Sequence, residues 1–128
     1  MKTSYESAPP YVTKDGSKIR ELMHPAEHGN ANQSLAEARV PAGAETLLHK
    51  HRSSEELYHV TAGWGLMVLG DETFPIVPGD TVHIAPGTTH GLINDGDETL
   101  VVLCCCAPAY SHEDTELVER EPSESAGN

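Results

Sequence analysis

Turn signals recur at short, regular intervals through the middle of this chain, and that spacing limits the fold more than any other feature. Pro41-Ala42-Gly43, Ala62-Gly63, Gly70-Asp71, Pro78-Gly79-Asp80, Pro86-Gly87 and Asp95-Gly96-Asp97 each place Gly or Pro where a chain reverses. The stretches between them are too short for amphipathic helices and read as strands over 44–51, 56–61, 65–69, 73–77, 81–85, 91–94 and 98–106. Upstream, 11–13 and 17–23 flank Asp15-Gly16, a hairpin signal, and 34–40 alternates before Pro41 breaks it. So many short antiparallel strands predict an all-β sandwich or barrel. At 128 residues the chain fits one domain with a core that needs no disulfide staples. We place a flexible N-terminus over 1–10, the barrel domain over 11–110, and an acidic tail over 111–128 that carries a brief helix near 113–120 and is otherwise disordered.

Within this frame three imidazoles and a carboxylate form a complete set of metal ligands. His49 and His51 are two residues apart, so on a strand both rings point to one face. Glu56 adds a charged oxygen, and His90 follows from a later strand end. Imidazole with carboxylate suits one divalent ion of iron, manganese, nickel, zinc or copper, without choosing among them. The neighbouring carboxylate Glu55 has the opposite parity and should face outward; it would substitute only if the local turn shifted the register.

Eight basic against twenty acidic residues give a formal charge of −12, which repels phosphate backbones and anionic lipid, so neither nucleic acid nor membrane is expected as a partner. No apolar run approaches a membrane span, and 1–10 lacks the basic start and apolar stretch of a signal peptide, which makes the cytoplasm the default location. Cys104, Cys105 and Cys106 are consecutive. Alternating directions on a strand prevent them from gathering on one ion, and they read as small hydrophobes ending the run from Leu100, with one parity able to face the interior.

At these residues the chain resembles the cupins, small jelly-roll barrels also described as double-stranded β-helices. The first cupin motif runs from Gly43 through His49-Lys50-His51 and Glu56 to Gly63. The second runs from Gly79 through Ala85-Pro86-Gly87 and His90 to Asn94. Ala85 is the one departure, in a turn where the pattern prefers Pro. The likeness covers 34–107, with the extra strands of 11–23 before the barrel.

The resemblance implies that His49, His51, Glu56 and His90 hold the metal inside the barrel, that the substrate is a small molecule, and that the protein is a homodimer. It implies a metal-dependent enzyme acting on a small oxygenated organic compound. Dioxygenase-like oxidation with iron, or isomerase, lyase or decarboxylase chemistry with the other metals, fits such a centre. The alternative is a non-catalytic module that binds a small molecule.

Tyr58 shares the parity of Glu56, so it is the candidate catalytic side chain, able to orient substrate. His59 and His83 have outward or structural positions, and His24, His28 and His112 read as loop or surface histidines. Asn94 anchors a turn and Trp64 sits at a turn tip. Lys50 and Arg52 alternate away from the ligand face, which counts against a phosphate pocket.

Overall fold

The computed structural model describes residues 1–119 of the chain. Among the described residues eleven strands form two antiparallel sheets. The first sheet has the order β1 (Tyr11–Val12), β2 (Lys18–Met23), β3 (Ser34–Val40), β10 (Leu100–Ala107), β5 (Glu55–Ala62), β8 (Thr81–Ile84). The second has the order β11 (Thr115–Leu117), β4 (His49–His51), β9 (His90–Ile93), β6 (Gly65–Leu69), β7 (Glu72–Ile76). This is the expected all-β jelly roll. A single helical turn, α1 (Pro25–His28), lies in the loop after β2. No helix among the described residues is long and apolar enough to cross a membrane.

The predicted strands are found with shifted ends. The strand expected over 44–51 is regular only from His49: Glu45 still bridges Ile93 of β9 and Thr46 N–H donates to the Leu92 carbonyl, but Leu47 N–H turns to the Asp15 carbonyl and interrupts the ladder. The helix expected near 113–120 is overturned. Thr115–Leu117 pairs instead with His49–His51, and this long-range ladder overrides the local preference of an acidic segment. Glu121 and Glu124 of the tail lie outside the described residues. The N-terminus, read as flexible over 1–10, carries a 3-10 turn at Tyr5–Ser7, with Thr3 Oγ1 donating to the Leu22 carbonyl and the Arg20 guanidinium over the Tyr5 ring.

Side-chain size along the inward faces decides where the interior is solid and where it is open. On β10 the inward residues run Leu100, Val102, Cys104, Cys106; opposite them on β3 stand Val40, Ala38, Ala36, Ser34. On the other side β5 contributes Val60, Tyr58 and Glu56. At the aliphatic end Leu100, Val102, Val60, Val40 and Met67 are essentially inaccessible and form the core with Ile76, Ile84 and Leu92. Each such burial contributes about 1.5–3 kcal/mol. Toward the other end the same stripes turn small and polar, and the barrel opens into a cavity. β10 tolerates a nearly continuous apolar sequence because it is a central strand, paired on both sides.

Candidate metal centre

The antiparallel register of β4 and β9 sets His49 directly across from His90, with His51 two residues further along the same face. All three rings are buried, at 4%, 3% and 0% exposure. The His49 and His90 ring centroids lie 4.2 Å apart, and His51 is 5.2 Å and 5.3 Å from them. One nitrogen from each falls within 4.8 Å of the others, so the three histidines are positioned to bind a metal ion. Glu56 enters from the facing sheet; its Oε1 lies 3.0 Å from His51 Nε2 and 3.2 Å from His90 Nε2.

The outer nitrogens explain why the inner ones are available. His49 Nδ1 meets the Leu47 carbonyl at 3.0 Å, and His90 Nδ1 meets the Thr88 carbonyl at 2.9 Å. A carbonyl only accepts, so in both rings Nδ1 carries the proton and Nε2 presents a lone pair. His51 Nδ1 lies 2.9 Å from Thr115 Oγ1, whose own proton goes to the Ser111 carbonyl at 2.9 Å. That hydroxyl therefore accepts, and His51 takes the same tautomer. Inside the cluster acceptors face acceptors. His90 Nε2 is buried without a hydrogen bond, and a carboxylate oxygen sits beside two imidazole lone pairs. A proton on an inner nitrogen or a metal cation resolves this conflict, and the donor set of imidazole nitrogen and carboxylate oxygen fits a first-row divalent ion. Adjacent ligand atoms about 2.1 Å from such an ion stand roughly 3 Å apart, close to the separations of Glu56 Oε1 from His51 and His90.

The electrostatics agree with this geometry. Burial holds His49 below the usual imidazole range and outweighs the opposing pull of Asp15, 3.6 Å from its Nδ1. Burial alone would raise the Glu56 carboxyl; with no metal bound, a proton on His51 or His90 Nε2 overcomes it and holds the carboxyl at about 2, and a cation in that proton's place acts in the same direction. The carboxylate is thus ionised across the neutral range.

Tyr58 does project into this space, with its ring edge-on to His90 at 5.7 Å. Burial above all, then the Glu56 charge, pushes its phenol well above the ordinary value, so it keeps its proton. Cys104 and Cys106 face the same cavity, whereas Cys105 points away. Burial is also the main cause that raises both inward thiols, which stay protonated. The cavity holds about 520 Å³ of empty space, part of it continuous with open solvent. Tyr110 stands near its rim, edge-on to His51 at 5.8 Å.

Other singled-out residues stay outside the cluster. Glu55 faces outward and pairs with His83 at 2.7 Å, and His59 bonds Thr81 on the outer face. His24 caps α1 through Nδ1 and reaches the Tyr110 carbonyl through Nε2; His28 Nδ1 accepts from the His24 amide. His112 is exposed. Asn94 is fully buried and ties its turn together, donating to the Val40 and Glu98 carbonyls and accepting from the Gly96 amide. Trp64 is 44% exposed and lies against Gly96. Sequence reasoning missed Asp15, read only as a turn residue, and Thr115, read as part of a helix. For Thr115 the single signal was a β-branched residue in an otherwise acidic segment.

Comparison with known proteins places this arrangement. Residues 36–106 match the cupin domain as a family. Over 119 residues the chain is 54% identical to the uncharacterized protein MJ1618 of Methanocaldococcus jannaschii, covering 93% of this chain and 95% of that one. Protein SchB of Streptomyces halstedii is 26% identical, with 94% and 87% covered. Among solved structures, a predicted oxalate decarboxylase from Thermotoga maritima has a TM-score of 0.74 at 22% identity, with 84% of this chain and 99% of that one covered. Pac13 from Streptomyces, described as a nucleoside dehydratase and seen with uridine, has a TM-score of 0.76 at 18% identity, with 97% and 95% covered. Two motifs, a shared barrel and the matched domain leave one conclusion: the chain belongs to the cupin family.

Proposed function

We propose that this cupin is a metal-dependent enzyme whose centre is formed by His49, His51, His90 and Glu56, and that it acts as a Lewis-acid isomerase or lyase on a small oxygenated molecule. One observation carries the reading. Three buried Nε2 lone pairs and one ionised carboxylate oxygen converge, while every Nδ1 is engaged outside the cluster. A bound divalent ion supplies polarisation of a carbonyl or hydroxyl oxygen and a lowered pKa for bound water. The chain's own residues then orient and exclude. Glu56 offsets part of the ion's charge, and the protonated Tyr58 phenol can donate a hydrogen bond to substrate but cannot serve as a base. Cys104 and Cys106 face the same cavity as protonated thiols and add small, weakly polar surface beside the cluster. Pac13 supports the reading to the extent that its fold accommodates a dehydratase.

Metal analysis of protein purified without chelator, joined to oxygen-electrode and product assays over a panel of hydroxy-carbonyl compounds, tests this. Zinc or manganese with metal-dependent turnover and no oxygen uptake is expected. Stoichiometric oxygen uptake would transfer the enzyme to the oxidative class, and saturable binding without product would make it a binding module.

We also propose a homodimer. β1 forms an open edge of the six-stranded sheet, with Tyr11 and Val12 exposed at 42% and 67%, and pairing across a two-fold axis would cover it. Light scattering should give twice the chain mass; a monomer at all concentrations overturns it.

A further inference from the structure

We propose that Glu21 is the substrate-recognition carboxylate of this cavity, accepting a hydrogen bond from a hydroxyl of a neutral, polyhydroxylated substrate whose other end reaches the histidine cluster. The inference rests on the reading of that cluster as a metal centre. Glu21 lies on β2, in register with Ala36 of β3, which is in turn in register with Cys104 of β10 and through it with Tyr58 of β5. All four face inward, so Glu21 shares the cavity with His49, His51 and Glu56 while standing three strands from Tyr58. The residues between are small, which leaves the span open rather than filled.

Only half of this carboxyl is accounted for by the protein. Oε2 accepts from the Tyr11 hydroxyl at 2.8 Å, whereas Oε1 is buried and has no hydrogen-bond partner among the described residues. An acceptor left unpaired in this way costs about 1–3 kcal/mol, and a donor on a ligand would recover it. The Tyr11 hydroxyl fixes the carboxyl orientation and leaves Oε1 as the free acceptor. The other groups that bear on Glu21 are His24, Glu27 and His28 of the segment after β2, and burial is what chiefly raises its carboxyl from the ordinary range.

Charge then narrows the ligand class. None of the cavity-lining residues is Lys or Arg, and Asp15, Glu21 and Glu56 all line it. A carboxylate or phosphate reaching the Glu21 end would meet the Glu21 charge with no Lys or Arg in the lining to offset it. A hydroxyl satisfies Oε1 directly. A purely structural Glu21, there to hold Tyr11 against β2, would show no such preference.

The test uses zinc-loaded full-length protein and two probes of one carbon skeleton, neutral D-xylose and anionic D-xylonate, with binding followed by saturation-transfer NMR titration and zinc content measured in parallel. Glu21→Leu is expected to weaken xylose about tenfold at unchanged zinc content, in line with loss of a hydrogen bond to a charged group. Glu21→Gln, isosteric and uncharged, is expected to strengthen xylonate severalfold. Unchanged xylose affinity in Glu21→Leu, or no gain for xylonate in Glu21→Gln, with zinc retained, defeats this assignment alone. Wild-type protein that binds no zinc defeats the metal centre and the assignment with it.

Discussion

Thr115 Oγ1 accepts a hydrogen bond from His51 Nδ1–H at 2.9 Å and donates its own to the Ser111 carbonyl. One hydroxyl on β11 thereby fixes both the tautomer and the orientation of a histidine on β4. Removing such an outer partner from a metal-binding histidine costs about 10–100-fold in metal affinity. Thr115→Val keeps the branched shape and the β11 ladder, so zinc affinity should fall about tenfold with the fold intact. Competitive chelator titration of both proteins measures it; equal affinities would remove Thr115 from the centre.

What the sequence made legible depended on local period. His49, His51, Glu56 and Tyr58 could be placed inward, and Glu55 and His59 outward, because strand parity needs only neighbouring residues. Asp15 and Thr115 could not be placed. Asp15 serves its turn, accepting from Thr13, Ser17 N–H and the Ser17 hydroxyl, and its approach to His49 spans elements that no pattern connects. Thr115 reaches His51 only through pairing across 64 residues. Glu21 was hidden for the same reason: its parity was readable, but nothing local shows that Ala36 and Cys104 leave room before it. Parity locates a face, whereas a cavity is a property of what faces it.

Metal should stabilise as well as activate. A ligand at a hundred times its Kd adds about 2.7 kcal/mol to the native state, which for a domain of this size raises Tm by about 10 °C. Calorimetry before and after chelation should show that drop, restored by zinc. His90→Ala should abolish the metal-dependent shift and lower the metal-free Tm as well, because His90 is fully buried and its loss leaves a cavity. A metal-independent Tm in the wild type would contradict the centre.

Gly63, the last residue of the first motif, has φ +75°, and a Cβ there would stand 2.4 Å from the Thr99 carbonyl oxygen. Both partners are backbone, so neither can swing aside. Left-handed geometry costs a non-glycine residue about 1–3 kcal/mol, and the clash adds to it. Gly63→Ala should therefore lose about 3 kcal/mol or more in denaturant unfolding. Gly43→Ala is the control, since it shares a positive φ of +79° but has open space around it, and should lose only the conformational part.

The tail also holds the turn that carries the ligands. Asp114 accepts from Ser53 N–H at 2.9 Å and from Ser54 N–H at 3.1 Å, between His51 and Glu56, and its carbonyl accepts from Arg52 N–H. Burial opposes its ionisation, but the bonds from Ser54 and Ser53 outweigh it and hold its carboxyl below the usual range. A carboxyl depressed in the folded state contributes fully above its unfolded value, about 3.9, and the contribution is lost as pH falls through the folded value. Solvent screening keeps the effect to about 0.5–1 kcal/mol. Asp114→Asn should thus be less stable than wild type at pH 6, and the gap should close as pH drops below about 4. It should also weaken zinc at neutral pH, because the Ser53-Ser54 turn sets the spacing of His51 and Glu56. Urea unfolding from pH 3 to 7 reads the first effect and chelator competition the second; a constant stability gap would mean that the carboxylate charge contributes nothing to this turn.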